Sequence, residues 1–126
     1  MTMPPERTAR ALRILFWLLL ATALYFALDP RPPRGPLDRL GDKWEHMIAF
    51  ATLTFVAVLA WPRRSVWRIA VLLAGFGALI ELLQAYPAIH RDSDWRDFVA
   101  DCVAIALTAL TIRPLVNRFA KGRALP

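Results

Sequence analysis

Apolar residues gather into four blocks along the chain, and polar residues collect between them. The blocks run from Ile14 to Leu28, Trp44 to Trp61, Val66 to Tyr86 and Phe98 to Ile112. Leu, Ala, Val and Ile fill nearly every position, without the polar stripe of a water-facing bundle helix. A helix rises about 1.5 Å per residue and the hydrocarbon core is about 30 Å thick, so about 20 residues span it. Blocks two and three have that length. Blocks one and four are shorter, and Arg13 and Arg113 extend them by snorkelling. Strands in lipid would have to close into a barrel and would alternate, which these blocks do not. Pro62 and Pro87 end the middle blocks, and Pro114 follows the last.

The pattern predicts an all-α, polytopic membrane protein: four transmembrane helices in a small bundle, with spans at about 12–28, 44–61, 66–86 and 97–112 of one domain, 1–126. Block one also has the outline of a signal peptide, since Arg7, Arg10 and Arg13 precede it. The following "FALDPRPP" holds no clear small-x-small cleavage site, and an uncleaved anchor is the reading adopted.

Composition agrees with this outline. The 126 residues are 57% hydrophobic, yet 21% are charged, so most of the charges must lie between the blocks. Mean hydropathy is +0.40. The net charge of +6 would suit nucleic acid, but the bases flank the apolar blocks, where topology explains them. No nucleic-acid partner is expected. The lone Cys102 excludes an internal disulfide and a thiolate metal cage, and neither metal nor cofactor is expected. No Ser–His–Asp, paired-cysteine or phosphate-loop motif is present. "AGFGA", Ala74 to Ala78, reads as a close-packing seam of small residues.

Charge sets the orientation. With the N-terminus inside, the inner segments hold Arg7, Arg10, Arg13, Arg63, Arg64, Arg68, Arg113, Arg118, Lys121 and Arg123. The outer segments hold Arg31, Arg34, Arg39, Lys43, Arg91 and Arg96. This bias follows the positive-inside rule, with both termini in the cytoplasm.

In that topology polar residues from three spans share one depth near the outer surface. Asp42, Lys43, Glu45 and His46 open helix two; Glu81 and Gln84 lie in the last turns of helix three; Asp97 and Asp101 open helix four. Asp42 with His46, Glu81 with Gln84, and Asp97 with Asp101 are three or four apart and share helix faces. A charge at a span's centre costs about 2.5–3.5 kcal/mol on insertion scales, less near the surface. An inward-facing cluster between helices two, three and four avoids most of that cost, with His46 expected to donate to Glu81 or Asp97. The plainer readings are a helix-dipole role for Asp42 and Glu45, a packing role for His46, and a helix-start role for Asp97 with Ser93 or Asp94 as cap.

These segments resemble the VanZ-like membrane proteins, in order, from about Asp42 to Thr111. "DKWEHMIAF" is similar to the family's Asp-Lys-x-x-His-x-x-x-Phe segment through Asp42, Lys43, His46 and Phe50. Glu81, Gln84, Arg91 and Asp97 fit its Glu-x-x-Gln element, the Arg that follows, and the start of its last helix. Asp101 stands where the family usually has Asn, Ala104 where it usually has Gly, and Thr108 where a second Gly is common. The resemblance implies a membrane protein of the bacterial cell envelope, in a family named for a link to low-level teicoplanin resistance, an antibiotic-resistance trait.

Three functional readings follow. The cluster binds a membrane lipid headgroup or a lipid-linked envelope precursor, or excludes an antibiotic, with Lys43, Arg91 and Arg96 meeting phosphate. Alternatively it only locks three helices together. The last reading is a small membrane enzyme, with His46 and Glu81 or Asp97 as acid and base. The first is preferred. The topology has a direct test: a reporter fused after Pro126 should be active only in the cytoplasm, and periplasmic activity would move the cluster to the opposite face.

Overall fold

A computed structural model describes residues 4–29, 42–90 and 93–122. Among them lie four α-helices: α1 (Glu6–Leu28), α2 (Asp42–Ala60), α3 (Val66–Gln84) and α4 (Trp95–Gly122). A short 3-10 turn, Pro87–Ile89, joins α3 toward α4. No strand occurs among the described residues. Each helix contains a stretch long and apolar enough to cross a membrane, with mean hydropathies from 1.2 to 2.0. The protein is a multi-pass helical membrane protein.

The helix ends follow their local chemistry. Pro5 precedes α1, and Glu6 sits in its first turn, where an acid favours the positive end of the helix dipole. Pro62 has no N–H to continue the ladder of α2, and the chain turns there, with Arg64 N–H donating to the Trp61 carbonyl. The turn after α3 ends at His90 in the left-handed region, φ 54°, which His tolerates better than most residues. Asp94 caps α4, its Oδ1 accepting the Arg96 N–H at 2.9 Å.

The fourth helix runs further than the apolar block suggests. It passes through Pro114 and continues to Gly122. A proline inside a helix removes one hydrogen bond and strains the preceding turn, a cost of about 3 kcal/mol, but spans tolerate it where neighbours hold the backbone. Arg113, the residue before it, supplies such a hold: its guanidinium donates to the Pro62 carbonyl at 2.7 Å and to the Arg64 carbonyl at 2.8 Å.

α2 lies at the centre. Phe50, Leu53, Val56, Ala57 and Val58 are buried along it and meet Ile69, Leu73 and Ile80 of α3 and Ile105 of α4. α1 is peripheral, with Phe16 its buried residue. Trp67, Val71, Leu72, Leu82, Leu107 and Leu110 point outward and are largely exposed, as a lipid-facing surface requires. Thr22, Thr52, Thr54 and Thr111 turn their hydroxyls back to the carbonyl four residues earlier, which satisfies these four groups within their own apolar helices.

The carbonyls at the end of α2 have no further turn to pair with. An arginine of the first helix supplies one donor, while Arg113 of α4 serves the connection that follows. Arg13 Nε donates to the Ala60 carbonyl at 3.3 Å, and its guanidinium lies 5.9 Å from the Trp61 ring centre. Phe16 packs edge-on against Trp61 at 5.1 Å. Replacing Arg113 by Met should therefore lower stability by about 1–3 kcal/mol, the worth of a hydrogen bond from a charged donor. Unfolding of detergent-solubilised protein in a denaturant series measures this. Arg118→Met, at an exposed position of the same helix, should leave the midpoint unchanged.

Candidate functional site

Near the start of α2, the end of α3 and the start of α4, polar side chains turn inward. His46 is the inward residue of α2, Glu81 and Gln84 those of α3, and Asp97 and Asp101 those of α4. Glu81, Gln84, Asp97 and Asp101 are all buried, and Asp101 has no exposure to solvent at all. Asp101 is the seventh residue of α4, so it lies about 9 Å along the helix from its first residue.

A close histidine–carboxylate contact crosses from α2 to α4. His46 Nδ1 stands 3.6 Å from Asp101 Oδ1. That separation is too long for a hydrogen bond. Sequence spacing suggested Glu81 or Asp97 as the histidine's partner; Asp101, one turn further along α4, has this place. Asp97 is buried in the first turn of the same helix. The sequence offered both acids on one face and could not tell which turn meets α2, because that depends on how far the helices are staggered.

Glu81 joins α3 to the start of α4. Its Oε2 accepts from the Ser93 hydroxyl and from the Asp94 N–H, each at 3.1 Å. The Ser93 hydroxyl also lies 3.0 Å from the Glu81 carbonyl. Ser93 is thus part of the site, although sequence marked it only as a cap candidate. Gln84 ties in the end of α1, its Nε2 donating to the Ala27 carbonyl at 2.9 Å. That bond spans 57 positions, and no local motif signals it.

Four acceptor atoms remain without a hydrogen-bond donor among the described residues: Glu81 Oε1, Gln84 Oε1 and both Asp101 carboxylate oxygens. A buried polar group without a partner costs about 1–3 kcal/mol, and more when charged. Gly77 of α3 makes room for this arrangement. A Cβ there would stand 3.2 Å from Asp101 Oδ2 and 3.4 Å from Phe50 Cζ. Gly75, the other glycine of the expected seam, has open space around it, so only one of the two is a close approach.

The flanking bases sit differently. Lys43 and Arg96 are exposed, and Arg96 lies over the Trp95 ring at 5.9 Å. Asp42 begins α2, but its side chain, like Arg91, lies outside the described residues. The centre of the cluster is thus acidic. No metal was expected from the sequence, yet His46, Glu81 and Asp101 each present a donor atom, all within 4.8 Å of one another. The chain matches no protein-family model, no curated protein and no solved structure.

The His46–Asp101 pair generates a stability prediction. Removing one partner of a buried pair leaves the other uncompensated and typically costs about 3–5 kcal/mol. His46→Leu alone and Asp101→Leu alone should both fall in that range. The double variant should cost far less than their sum, measured as a double-mutant cycle by denaturant unfolding in detergent. Additive losses would show that the two residues are not coupled.

Proposed function

We propose that this chain is a VanZ-like envelope protein of the bacterial cytoplasmic membrane, with both termini in the cytoplasm. In this reading the polar cluster opens toward the outer face and binds the polar part of a membrane lipid or lipid-linked envelope precursor. The topology rests on the excess of bases on the inner segments, and the family reading on the matched segments from Asp42 to Thr111.

One observation carries the binding reading. The buried acceptors at Glu81, Gln84 and Asp101 have no donors among the described residues. A cluster that served only to lock helices would pair its own groups, because each orphan weakens the lock. A donor-rich ligand satisfies them, and the hydroxyls of a lipid-linked saccharide are such donors. The exposed Lys43 and Arg96 suit the phosphates that join saccharide to lipid. The enzymatic alternative keeps one specific support, an imidazole beside a buried carboxylate, which is the arrangement of an oriented general base.

Native mass spectrometry tests the reading. Protein released from nanodiscs doped with a polyprenyl-diphosphate-linked saccharide should retain that lipid in preference to phosphatidylglycerol. Glu81→Gln and Asp101→Asn, close in shape to the native side chains, should weaken retention about tenfold while protein level holds, about 1.4 kcal/mol of lost binding. Equal retention of both lipids by the native protein would remove the binding reading.

A further inference from the structure

The cluster has the wrong sign for its proposed ligand. Diphosphate is anionic, and the buried centre holds Glu81 and Asp101. We infer that His46, Glu81 and Asp101 form a site for one divalent transition-metal ion of the zinc or manganese class, held between α2, α3 and α4. The ion's role toward a precursor rests on the binding reading above; the site itself rests on geometry.

Three helices each contribute one donor, and the donor atoms all lie within 4.8 Å of one another. Ligand atoms at the usual 2.0–2.2 Å from a tetrahedral zinc stand about 3.4 Å apart. The His46 Nδ1 to Asp101 Oδ1 separation of 3.6 Å is already close to that value. It suits two atoms with an ion between them better than a direct hydrogen bond.

Burial supplies the second, independent observation. Asp101 is 0% exposed and Glu81 8%, and Asp101 Oδ1, Asp101 Oδ2 and Glu81 Oε1 have no hydrogen-bond donor among the described residues. A dication satisfies acceptor atoms that lack donors. It also cancels the charge of two carboxylates at a depth where isolated charge is expensive.

The surroundings are those of a built ligand set. Glu81 is held through its other oxygen by the Ser93 hydroxyl and the Asp94 N–H, which fixes the carboxylate and leaves Oε1 to point elsewhere. Gly77 has no Cβ, and one there would stand 3.2 Å from Asp101 Oδ2, so the glycine lets α4 bring this carboxylate close against α3. One imidazole with two carboxylates suits zinc or manganese better than copper(I), which prefers sulfur, or calcium, which takes oxygen alone. Three protein ligands leave a fourth position open, and a phosphate oxygen fits there.

The test uses the full chain in detergent, carrying His90→Ala and Cys102→Ala, so that His46 is the sole imidazole and no thiol remains. Protein is equilibrated with Zn²⁺ or Mn²⁺, freed of loose ion on a chelating resin, and its metal measured by mass spectrometry. About one ion per chain is expected, and Asp101→Asn or His46→Ala should each weaken binding at least about tenfold. X-ray absorption of the loaded parent protein should show one imidazole among oxygen ligands, a readout that does not depend on the variants folding. Metal no higher than a detergent blank, oxygen-only ligation, or affinity unchanged in both variants would overturn the site. Loss of the ion with the saccharide lipid still retained would end this inference alone. Stoichiometric ion with no lipid preference would uphold the site and end the binding reading.

Discussion

Asp101 lies fully buried about two turns into an apolar helix, where lipid offers neither a donor nor a counter-charge. Everything at this end of the bundle answers to that placement. α2 must bring His46 against it, α3 must present a glycine rather than a side chain beside it, and Phe50 must fill the remaining space. In water such a carboxylate could turn outward at little cost. In a membrane the alternative to burial is contact with hydrocarbon, so the helices have little choice of rotation about their own axes. Apolar faces alone specify rotation weakly here, because lipid is as good a neighbour as another helix.

The two ends of the bundle solve opposite problems. At one end, the last carbonyl of α2 and two carbonyls of the connection that follows need donors, and Arg13 and Arg113 provide them from the neighbouring helices. An open crevice of about 500 Å³, lined in part by Phe16, Trp17, Trp61, Arg64 and Arg68, lies on that side. At the other end, carboxylates and an amide need donors, and the described residues supply only some of them. At the first end these carbonyls find their donors within the chain. The second end leaves acceptors over.

Much of the fold was legible because spans announce themselves by length and composition. Four blocks became four helices, and Pro62 and Pro87 fell at turns. Pro114 follows the fourth apolar block, and the helix runs on through it to Gly122; Arg113, beside it, reaches a loop 49 and 51 positions away. In the site, the faces shared by Glu81 with Gln84 and by Asp97 with Asp101 could be read from their spacing. Which acid faced which base could not. The Asp97–Asp101 choice depends on helix stagger, Ser93 on the path of a connecting turn, and Gln84 on the position of α1. Each is a relation between helices, and periodicity describes only one helix at a time.

The arginine caps carry a consequence for biosynthesis. Arg113 lies beyond the apolar block of α4, yet its two acceptors, the Pro62 and Arg64 carbonyls, belong to the connection between the second and third helices. A ribosome makes that connection long before it makes Arg113. Until the fourth span has been synthesised, the α2–α3 hairpin enters the membrane without this clasp. The fourth helix is therefore the one that fastens the connection between the second and third, and this clasp forms only after all four spans have been made.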